Sequence, residues 1–585
     1  MAFLRNLLAT LLGLAIFSIF SVVIFFLIIG AIASSGDEVP VVKSNSVLYL
    51  NLNGALQERA LEDPLQELLF ENNPGPIGLK NTLDVLDAAR TDERIKGIYL
   101  ESNFLQGGYA SMREIRNALK TFKESGKFVY AYGTYLTEGD YYIVSVADSL
   151  FLNPEGSLEL NGLSSNITFF KGAFDKLGVE PQIFRVGKYK SYVEPYIRKD
   201  MSKENEYQLR TLLNSVYDEY TTGVSESVEA SKDEIRNISD QMLIRLPEDA
   251  VKYGLVHRLA YEDEIRSLIR SQIELEEDDD INFIKLTDYY KNAGSRYNLS
   301  GDQIAVIVAE GDIIMGNGST EIAGSRFVKE LKKARLDDKI KAVVLRVNSP
   351  GGSLTASDMI WREVTLLKKV KPVIASMGDV AASGGYYISM PCDEIVAQPN
   401  TITGSIGIFG MMFDLSNMLE DKLGITHDVV KTGEYSDIMT VTRPLSEKEK
   451  MIIQAGVEKG YDTFISKAAE GRDMTVDEIK NLASGRVWTG KQALENGLID
   501  RLGGLDDAIK RAAEKAELEI DEVAVRYYPE QKPFLELLFD NSKADIRSYV
   551  ADEAYGQLSP FIKKMKKLQN YQGIQARLPY ELEIN

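Results

Sequence analysis

The order of apolar and polar positions along the chain predicts short buried strands that alternate with amphipathic helices. Apolar runs at Val47 to Leu52, Ile304 to Val308 and Pro372 to Ser376 have the length of buried strands, whereas Leu354 to Lys369 has helical spacing. This alternation is typical of right-handed βαβ units around a mostly parallel sheet. The sequence therefore predicts an α/β fold.

The pattern occurs twice in the chain. Ile95 to Leu100 aligns with Ile340 to Leu345 at a shift of 340 − 95 = 245 positions, and the register then continues without a gap from Asn103/Asn348 to Gly162/Gly407. We expect a first repeat over 46–262 and a second over 301–517. An acidic connector at 263–300 would join them, and a C-terminal extension would occupy 518–585.

The N-terminal segment predicts a membrane anchor. Residues 7–33 are 27 consecutive positions without a charged side chain, more than the ~20 apolar residues that a spanning helix needs. A cleaved signal peptide is the alternative, since Ala31-Ile32-Ala33 imitates a cleavage site, but its apolar core is usually only ~7 to 15 residues long. Arg5 precedes the segment and acidic residues follow it, which favours a cytoplasmic N-terminus at 1–6, an anchor at 7–33 and a stalk at 34–45.

Charge and cysteine content exclude several classes. The 67 basic and 87 acidic residues give a net charge of −20, which repels phosphate backbones, so no nucleic-acid partner is expected. The one cysteine, Cys392, excludes an intramolecular disulfide and a cysteine-rich zinc cluster. No metal or other cofactor is predicted.

Two segments of the second repeat could carry chemistry. Asn348 to Ser353 follows a predicted buried strand and contains Gly351 and Gly352, whose backbone N–H groups could bind a ligand oxygen, as in an oxyanion hole. Ser383 follows the next strand and has only small neighbours. Taken alone, a lone serine in such a segment is more often explained by close helix packing.

Comparison of the repeats separates these two explanations. Ser383 aligns with Glu138 and Gly351 with Gln106, so the first repeat lacks both the hydroxyl and the full glycine turn. Conversely, Lys190 in the first repeat aligns with Ser436 in the second. A requirement of the fold should be met in both copies, whereas a chemical one need be met only once, so each repeat holds what the other lacks.

A nucleophilic serine needs a base. His257 and His427, the two histidines, lie far in sequence from the glycine-rich turns, which makes a serine–histidine–aspartate triad a poor fit. A buried lysine with a lowered pKa can take the same role. Lys190 is the candidate, and Lys188 competes with it from the opposite side of an extended segment.

These residues resemble the signal peptide peptidase A (protease IV) family in its long two-repeat form. The resemblance covers nearly the whole chain, including the anchor, the tandem repeats and the order of the motifs Tyr189-Lys190-Ser191 and Ala382-Ser383-Gly384. It implies a fold similar to caseinolytic protease P and the crotonases. It also implies that Ser383 is the nucleophile and Lys190 the general base.

The resemblance carries further expectations. Ser405 would hydrogen-bond the lysine amine, and Gly351, Gly352 and Gly384 would supply the oxyanion donors. The substrates would be hydrophobic peptides such as signal-peptide remnants. The protein would be a homo-oligomer, a tetramer by analogy, held in the bacterial inner membrane with its catalytic part on the periplasmic side.

Two other functions remain open at this point. A crotonase-like acyl-CoA enzyme would use the same oxyanion architecture without needing Lys190. A catalytically silent membrane scaffold would use the glycine turns only for packing, and Ser383→Ala would then change no activity.

Overall fold

The computed structural model of the chain describes residues 5–6, 9–14, 16–21, 23–24, 41–60, 76–293, 301–318, 321–530 and 574–578. Residues 34–40 of the predicted stalk at 34–45 and much of the predicted anchor and C-terminal extension lie outside these residues. Within the part of the chain that is described, none of the helices combines the length and the apolar composition that a membrane crossing needs.

The first half of the chain forms a seven-stranded parallel sheet in the order β2-β1-β3-β4-β5-β7, with β8 also paired to β1. Strand β6, which is absent from this order, belongs to another sheet. The strands of this half are β1 (Ser46–Gln57), β2 (Ile77–Gly78), β3 (Ile95–Gln106), β4 (Phe128–Leu136), β5 (Ser149–Leu158), β6 (Glu180–Arg185), β7 (Arg258–Leu259) and β8 (Asn282–Lys285).

Helices cover both faces of this sheet, as buried parallel strands require. The helices of this half are α1 (Leu79–Thr91), α2 (Tyr109–Lys123), α3 (Glu138–Val144), α4 (Lys171–Leu177), α5 (Glu194–Ile197), α6 (Lys203–Ser225), α7 (Lys232–Asp240), α8 (Pro247–Lys252), α9 (Glu262–Gln272) and α10 (Leu286–Ala293). Of these, α4 and α5 pack beside β6 instead, where Phe174 and Tyr196 cluster with Phe409 and Met411. The segment predicted as an acidic connector thus contains most of α9, all of α10 and a strand, β8, of the first sheet.

The second half repeats this architecture with the order β18-β16-β14-β12-β9-β20, and β15 links β14 to β19. Every pairing except β16 with β18 is parallel. The strands of this half are β9 (Gln303–Glu310), β10 (Ile313–Ile314), β11 (Ile322–Ala323), β12 (Ile340–Ser349), β13 (Gly351–Ser353), β14 (Val373–Ala382), β15 (Glu394–Ala397), β16 (Ile402–Gly404), β17 (Phe409–Asp414), β18 (Val487–Thr489), β19 (Arg501–Leu502), β20 (Ala524–Tyr528) and β21 (Ile574–Arg577).

The helices of this half are α11 (Gly324–Leu336), α12 (Leu354–Lys368), α13 (Gly384–Ser389), α14 (Glu447–Arg472), α15 (Val476–Leu482), α16 (Gly490–Glu495) and α17 (Leu505–Lys515). Helices α11, α12, α13 and α17 contact β12 or β14, whose apolar side chains are almost wholly buried. Helix α14 packs on β6 and β17 instead. The prediction of an α/β chain with two tandem, mostly parallel sheets is confirmed.

A third sheet joins the two halves, in the order β11-β10-β13-β21-β17-β6. Strand β6 of the first half runs antiparallel to β17 of the second, from Arg185 opposite Phe409 to Glu180 opposite Asp414. Because the chain leaves β6 just before Lys190, this pairing delivers that lysine to the second half.

A buried ion cluster also links the halves. Arg346 on β12 donates from Nε to Glu58 Oε2 at 2.8 Å and from a terminal nitrogen to Glu114 Oε1 at 2.7 Å. All three side chains are at most 4% exposed. Glu114 also accepts the backbone N–H of Leu505 at 2.8 Å, so its carboxylate contacts two separate elements of the second half.

Candidate active site

Ser383 lies at the junction of β14 and α13, in a backbone conformation that side chains rarely adopt. Its φ of 55° and ψ of −109° place it in a region that costs about 1 to 3 kcal/mol for a non-glycine residue. The backbone N–H of Ser383 donates to Gly404 O at 2.8 Å, and Ser383 O accepts from Tyr387 N at 2.8 Å. The surrounding structure thus fixes a strained turn that presents this hydroxyl at the end of the sheet.

The Lys190 amine reaches this hydroxyl from the first half of the chain. Its Nζ lies 2.9 Å from Ser383 Oγ, 3.0 Å from Ser405 Oγ and 3.2 Å from Ser405 O. All three side chains are fully buried. The structure therefore brings together Ser383, Lys190 and Ser405, although the serine hydroxyl and the amine belong to residues 193 positions apart.

Burial sets the protonation of this lysine. It lowers the pKa of the Lys190 amine well below the usual value, because removal from water disfavours the ammonium form. The contacts at Nζ are two hydroxyls and a carbonyl, all uncharged. A neutral amine is thus the favoured form, and a neutral amine can accept a proton from a hydroxyl.

Glycines shape the channel around the Lys190 stem. A Cβ atom on Gly407 would lie 3.2 Å from Lys190 Cδ, and one on Gly485 would lie 2.7 Å from the backbone nitrogen of Lys190. Gln208 on α6 ties the same loop to the second half: its side chain donates to Tyr189 O at 3.2 Å and accepts from Val487 N at 3.4 Å. Lys190 is therefore held in place by contacts that sequence reasoning did not identify.

We expect Gly485→Ala to lower kcat by roughly 100-fold, since displacing a catalytic group by about 1 Å can cost that much. The matched control is Gly497→Ala. Both glycines have positive φ, 81° and 76°, so both variants pay the same backbone cost, but a Cβ on Gly497 would lie 3.8 Å from its nearest neighbour, Met474 Sδ. Steady-state peptide hydrolysis of the two purified variants measures the difference. Equal kcat values would show that the Gly485 contact does not position the lysine.

The three glycines predicted as oxyanion donors do not lie equivalently. Gly351 and Gly384 are adjacent, since a Cβ on Gly351 would lie 2.6 Å from Gly384 N. Gly352 is positioned against the backbone of Ile313 on β10. Gly351 N–H donates to Ser349 Oγ at 3.1 Å. On its other side, Gly352 pairs with Ala576 of the neighbouring antiparallel strand β21.

Strand β21 occupies the cleft beside these glycines. It pairs antiparallel with β13, with Gly352 opposite Ala576, and on its other side with β17. A Cβ on Gly384 would lie 3.0 Å from the Ala576 carbonyl oxygen. Leu578, two residues further on, buries its side chain among Leu212, Ala382, Ile402 and Val487. The cleft therefore accepts an extended polypeptide, a feature that the sequence did not signal because this strand lies within the predicted extension.

The first repeat lacks the same chemistry at the equivalent point. Glu138, the counterpart of Ser383, begins α3 and is buried, and its Oε1 accepts the N–H groups of Asn161 and Gly162 at 2.9 and 2.8 Å. Asn161 and Gly162 are the counterparts of Ile406 and Gly407. A carboxylate thus fills the first repeat's equivalent of the site where Lys190 and Ser383 meet.

The other basic candidates lie elsewhere. His257 is exposed, and its Nδ1 accepts the backbone N–H of Leu150 at 3.0 Å. His427 is exposed. Lys188 is exposed with its ammonium 5.2 Å from the ring centre of Tyr189. Among the four bases considered from the sequence, Lys190 is the one that contacts Ser383.

The fold and the site define a class of α/β protein with two Clp-protease-like repeats, and comparison with known proteins agrees with it. The Clp protease family matches residues 295–402. Peptidase family S49 matches residues 121–276 and 365–519, one stretch in each half. The chain belongs to peptidase family S49, and it is a serine protease.

Several curated relatives match most of the chain. The chloroplastic serine protease SPPA of Arabidopsis thaliana is 34% identical over 548 residues, covering 92% of this chain and 78% of the relative. Protease 4 of Haemophilus influenzae is 37% identical, covering 84% of this chain and 82% of the relative. Protease 4 of Salmonella typhi is 34% identical, covering 88% and 85% respectively.

Proposed function

We propose that this chain is a membrane-anchored endopeptidase that cleaves apolar peptides with a dyad of Ser383 and Lys190. The observation that carries the proposal is the 2.9 Å contact between Lys190 Nζ and Ser383 Oγ, in a buried position where the amine has no charged partner among its hydrogen bonds. Hydroxyl and amine belong to different repeats, which explains why each repeat alone lacks one of them.

The reaction is an acyl transfer in two stages. Ser383 Oγ attacks the peptide carbonyl while Lys190 Nζ takes the hydroxyl proton, and the C–N bond then breaks as Lys190 returns that proton to the leaving amine. Lys190 next takes a proton from water, whose oxygen attacks the acyl-enzyme carbonyl. The C–Oγ bond then breaks as Lys190 returns that proton to Ser383 Oγ, which releases the carboxylic acid product and restores both groups. Ser405 fixes the position of the Lys190 amine, because its hydroxyl and its carbonyl oxygen both accept hydrogen bonds from Nζ.

The negative oxygen formed in each stage needs hydrogen-bond donors. Gly384 and Gly351 lie beside the position that the Ala576 carbonyl oxygen takes in this structure, and Gly352 pairs with Ala576. Their backbone N–H groups would be the donors, and the Gly351 N–H would have to turn from Ser349 Oγ, to which it donates here. Each such donor is worth ~10² to 10³ in turnover. A substrate would replace β21, with its scissile carbonyl at the position of the Ala576 carbonyl.

The substrate class follows from the lining of the cleft. The strand pairing with β13 and β17 binds backbone without regard to sequence, whereas the pocket around Leu578 is formed by apolar side chains. Signal-peptide remnants have this extended apolar character. The uncharged segment at 7–33 supports an anchor that keeps the enzyme near such peptides. The tetramer implied by the family resemblance stays a prediction.

Covalent labelling tests the proposal. A fluorophosphonate is applied to the full chain and to a chain ending at Gly573, which lacks β21, and mass mapping then locates the adduct. We expect one adduct, on Ser383, together with hydrolysis of a quenched apolar peptide in preference to an acidic one. Buried Ser389, a few residues along the same helix, is the internal control. Labelling of other serines, or of none in either form, would contradict the assignment.

A further inference from the structure

A carboxylate beside the catalytic cleft binds the one charged side chain of β21. Arg577 donates from Nη1 to Asp312 Oδ2 at 2.8 Å, and the two side chains are only 3% and 12% exposed. Asp312 directly precedes β10, which pairs with Gly352 of β13. The strand in the cleft is therefore held by a largely buried ion pair as well as by its backbone hydrogen bonds.

Arg577 directly follows the carbonyl that marks the place of the cleaved bond. The Ala576 carbonyl oxygen is the one that lies beside Gly351 and Gly384. The backbone stays bound beyond this point, since Leu578 N–H donates to the Pro350 carbonyl oxygen at 2.7 Å. A peptide with its scissile carbonyl in that place would therefore have its first residue after the cleaved bond where Arg577 lies, with that side chain beside Asp312.

An aromatic ring from the first half of the chain also contacts this position. The guanidinium carbon of Arg577 lies 5.8 Å from the ring centre of Tyr192, and that ring stacks on Phe409 of β17 with the centres 5.1 Å apart. A cation within about 6 Å of an aromatic face is attracted to it. Tyr192 follows Lys190 by two residues, so the loop that supplies the amine also supplies this ring. Carboxylate and ring together favour a cationic side chain.

The second repeat fixes Asp312 without help from β21. The backbone N–H of Asp312 donates to Glu321 Oε2 at 2.8 Å, and its carbonyl oxygen accepts from Ile322 N–H at 3.0 Å. Neither partner belongs to β21, so the carboxylate keeps its place when a peptide replaces that strand. Glu321 also brings a second carboxylate close to this point, which further disfavours an acidic side chain there.

An alanine takes the place of this aspartate in the first repeat. Strand β1 pairs with β2 as β10 pairs with β11, and Ala55 and Asp312 each directly precede the first paired residue. Each also follows a glycine with positive φ, Gly54 at 110° and Gly311 at 98°. The turn is therefore conserved between the repeats, whereas the carboxylate, like the Ser383 hydroxyl, occurs only in the second. A requirement of the fold would be met in both copies.

We propose that Asp312 is a specificity-determining residue, which selects peptides with an arginine or lysine directly after the cleaved bond. The inference rests on the proposed function for the position of that bond. The apolar pocket around Leu578 receives the residue that follows, so the preferred peptide has a basic side chain at the start of an apolar stretch. Signal peptides have this pattern where their positively charged segment meets the apolar core.

Two quenched peptides test this selection. Both contain the sequence of residues 574–578, but one has citrulline, which is similar in shape to arginine and uncharged, in place of the arginine. Competition from β21 of the full-length chain lowers kcat/KM for both peptides by the same factor, so the ratio of the two values reports the contact with Asp312. We expect the arginine peptide to be favoured roughly 10-fold, the order that one hydrogen bond to a charged group supplies. Mass spectrometry of the products should show cleavage after the alanine.

Asp312→Asn should bring this ratio close to one, because the amide keeps the shape of the carboxylate but not its charge. The matched control is Asp338→Asn, which makes the same change at an exposed position of the second half and should keep the preference. A preference that Asp312→Asn retains, or cleavage of both peptides at another bond, would overturn the inference. So would equal rates for the two peptides that Asp312→Asn raises together, since the ion pair would then serve only to hold β21.

A binding measurement separates this inference from the proposed function. Fluorescence anisotropy with labelled forms of the two peptides is recorded on the full-length Ser383→Ala chain and on the same chain carrying Asp312→Asn. Tighter binding of the arginine peptide that depends on Asp312 would support the selection even if the wild type hydrolysed neither peptide. Equal affinities in the chain that retains Asp312, or no binding of either peptide, would overturn it.

Discussion

Lys190→Met is expected to lower kcat/KM for peptide hydrolysis by on the order of 10⁴-fold, the upper range for loss of a general base. Methionine fills much of the same channel between Gly407 and Gly485 but accepts no proton, so Ser383 keeps its position and loses its activation. Ser383→Ala should be at least as damaging, and the two changes together should cost little more than either alone, since the residues act as a unit.

Lys188→Met is the matched control for this experiment. It makes the same substitution two residues earlier, at an exposed side chain, and should leave hydrolysis near the wild-type rate. Initial rates on a quenched apolar peptide compare all four variants with the wild type. If Lys190→Met retained substantial activity while Ser383→Ala did not, the base would have to be another group.

The lowered pKa of Lys190 predicts that both activity and stability rise with pH, each over its own range. Activity should rise with pH through the lowered pKa of Lys190, because the neutral amine is the working form. Stability of the wild type should fall as pH falls from the ordinary lysine range to that lowered pKa, since the unfolded chain binds the proton first. Lys190→Met lacks this proton linkage. Thermal melts should therefore show that the stability of Lys190→Met relative to wild type improves as pH falls through this window and levels off below it. A constant difference would contradict a lowered pKa.

Arg346→Met is expected to cost about 3 to 5 kcal/mol in the free energy of unfolding, the usual result of removing one partner from a buried ion cluster. Glu58 and Glu114 would lose the guanidinium that lies 2.8 and 2.7 Å from their oxygens, and both are almost fully buried. Burial already raises the pKa of both carboxyls while Arg346 opposes that rise. Without the arginine, both should take up protons more readily.

Denaturant unfolding at several pH values measures this effect. The deficit of Arg346→Met should shrink as pH falls through the raised carboxyl pKa values, because protonation removes the uncompensated charges from the folded state. Arg210→Met is the control: it breaks an exposed pair with Glu206 on α6 and should cost only about 0.3 to 0.5 kcal/mol. Similar losses in both variants, or a deficit that does not change with pH, would show that the cluster does not hold the repeats together.

Much of the fold could be predicted because each repeat presents the same local signals twice. Val47 to Leu52 and Ile304 to Val308 lie inside β1 and β9, and the predicted helix at Leu354 ends one residue earlier than expected. Local propensity and apolar periodicity decide such elements within a few residues. The edge strands β8 and β20 were missed, since both lie in charged segments where pairing with a distant strand decides the structure.

The candidate site could be predicted only at aligned positions where the two repeats carry residues of different chemistry. Ser383 and Lys190 were identifiable because their counterparts, Glu138 and Ser436, cannot do the same chemistry. Gly485 and Gln208 had no such signal. A glycine that admits a lysine stem and a glutamine that bridges two loops are ordinary residues until the neighbouring chain is in place.

The sequence by itself thus determined the duplicated α/β elements, the family, and which repeat carries the hydroxyl and which the amine. Tertiary structure alone decided that Lys190 and Ser383 meet, through the pairing of β6 with β17, and that the amine is buried among uncharged groups. It also decided that β21 lies in the cleft. The physical reason is that residue type and periodicity are local properties, whereas contact and desolvation depend on segments nearly 200 residues apart packing together.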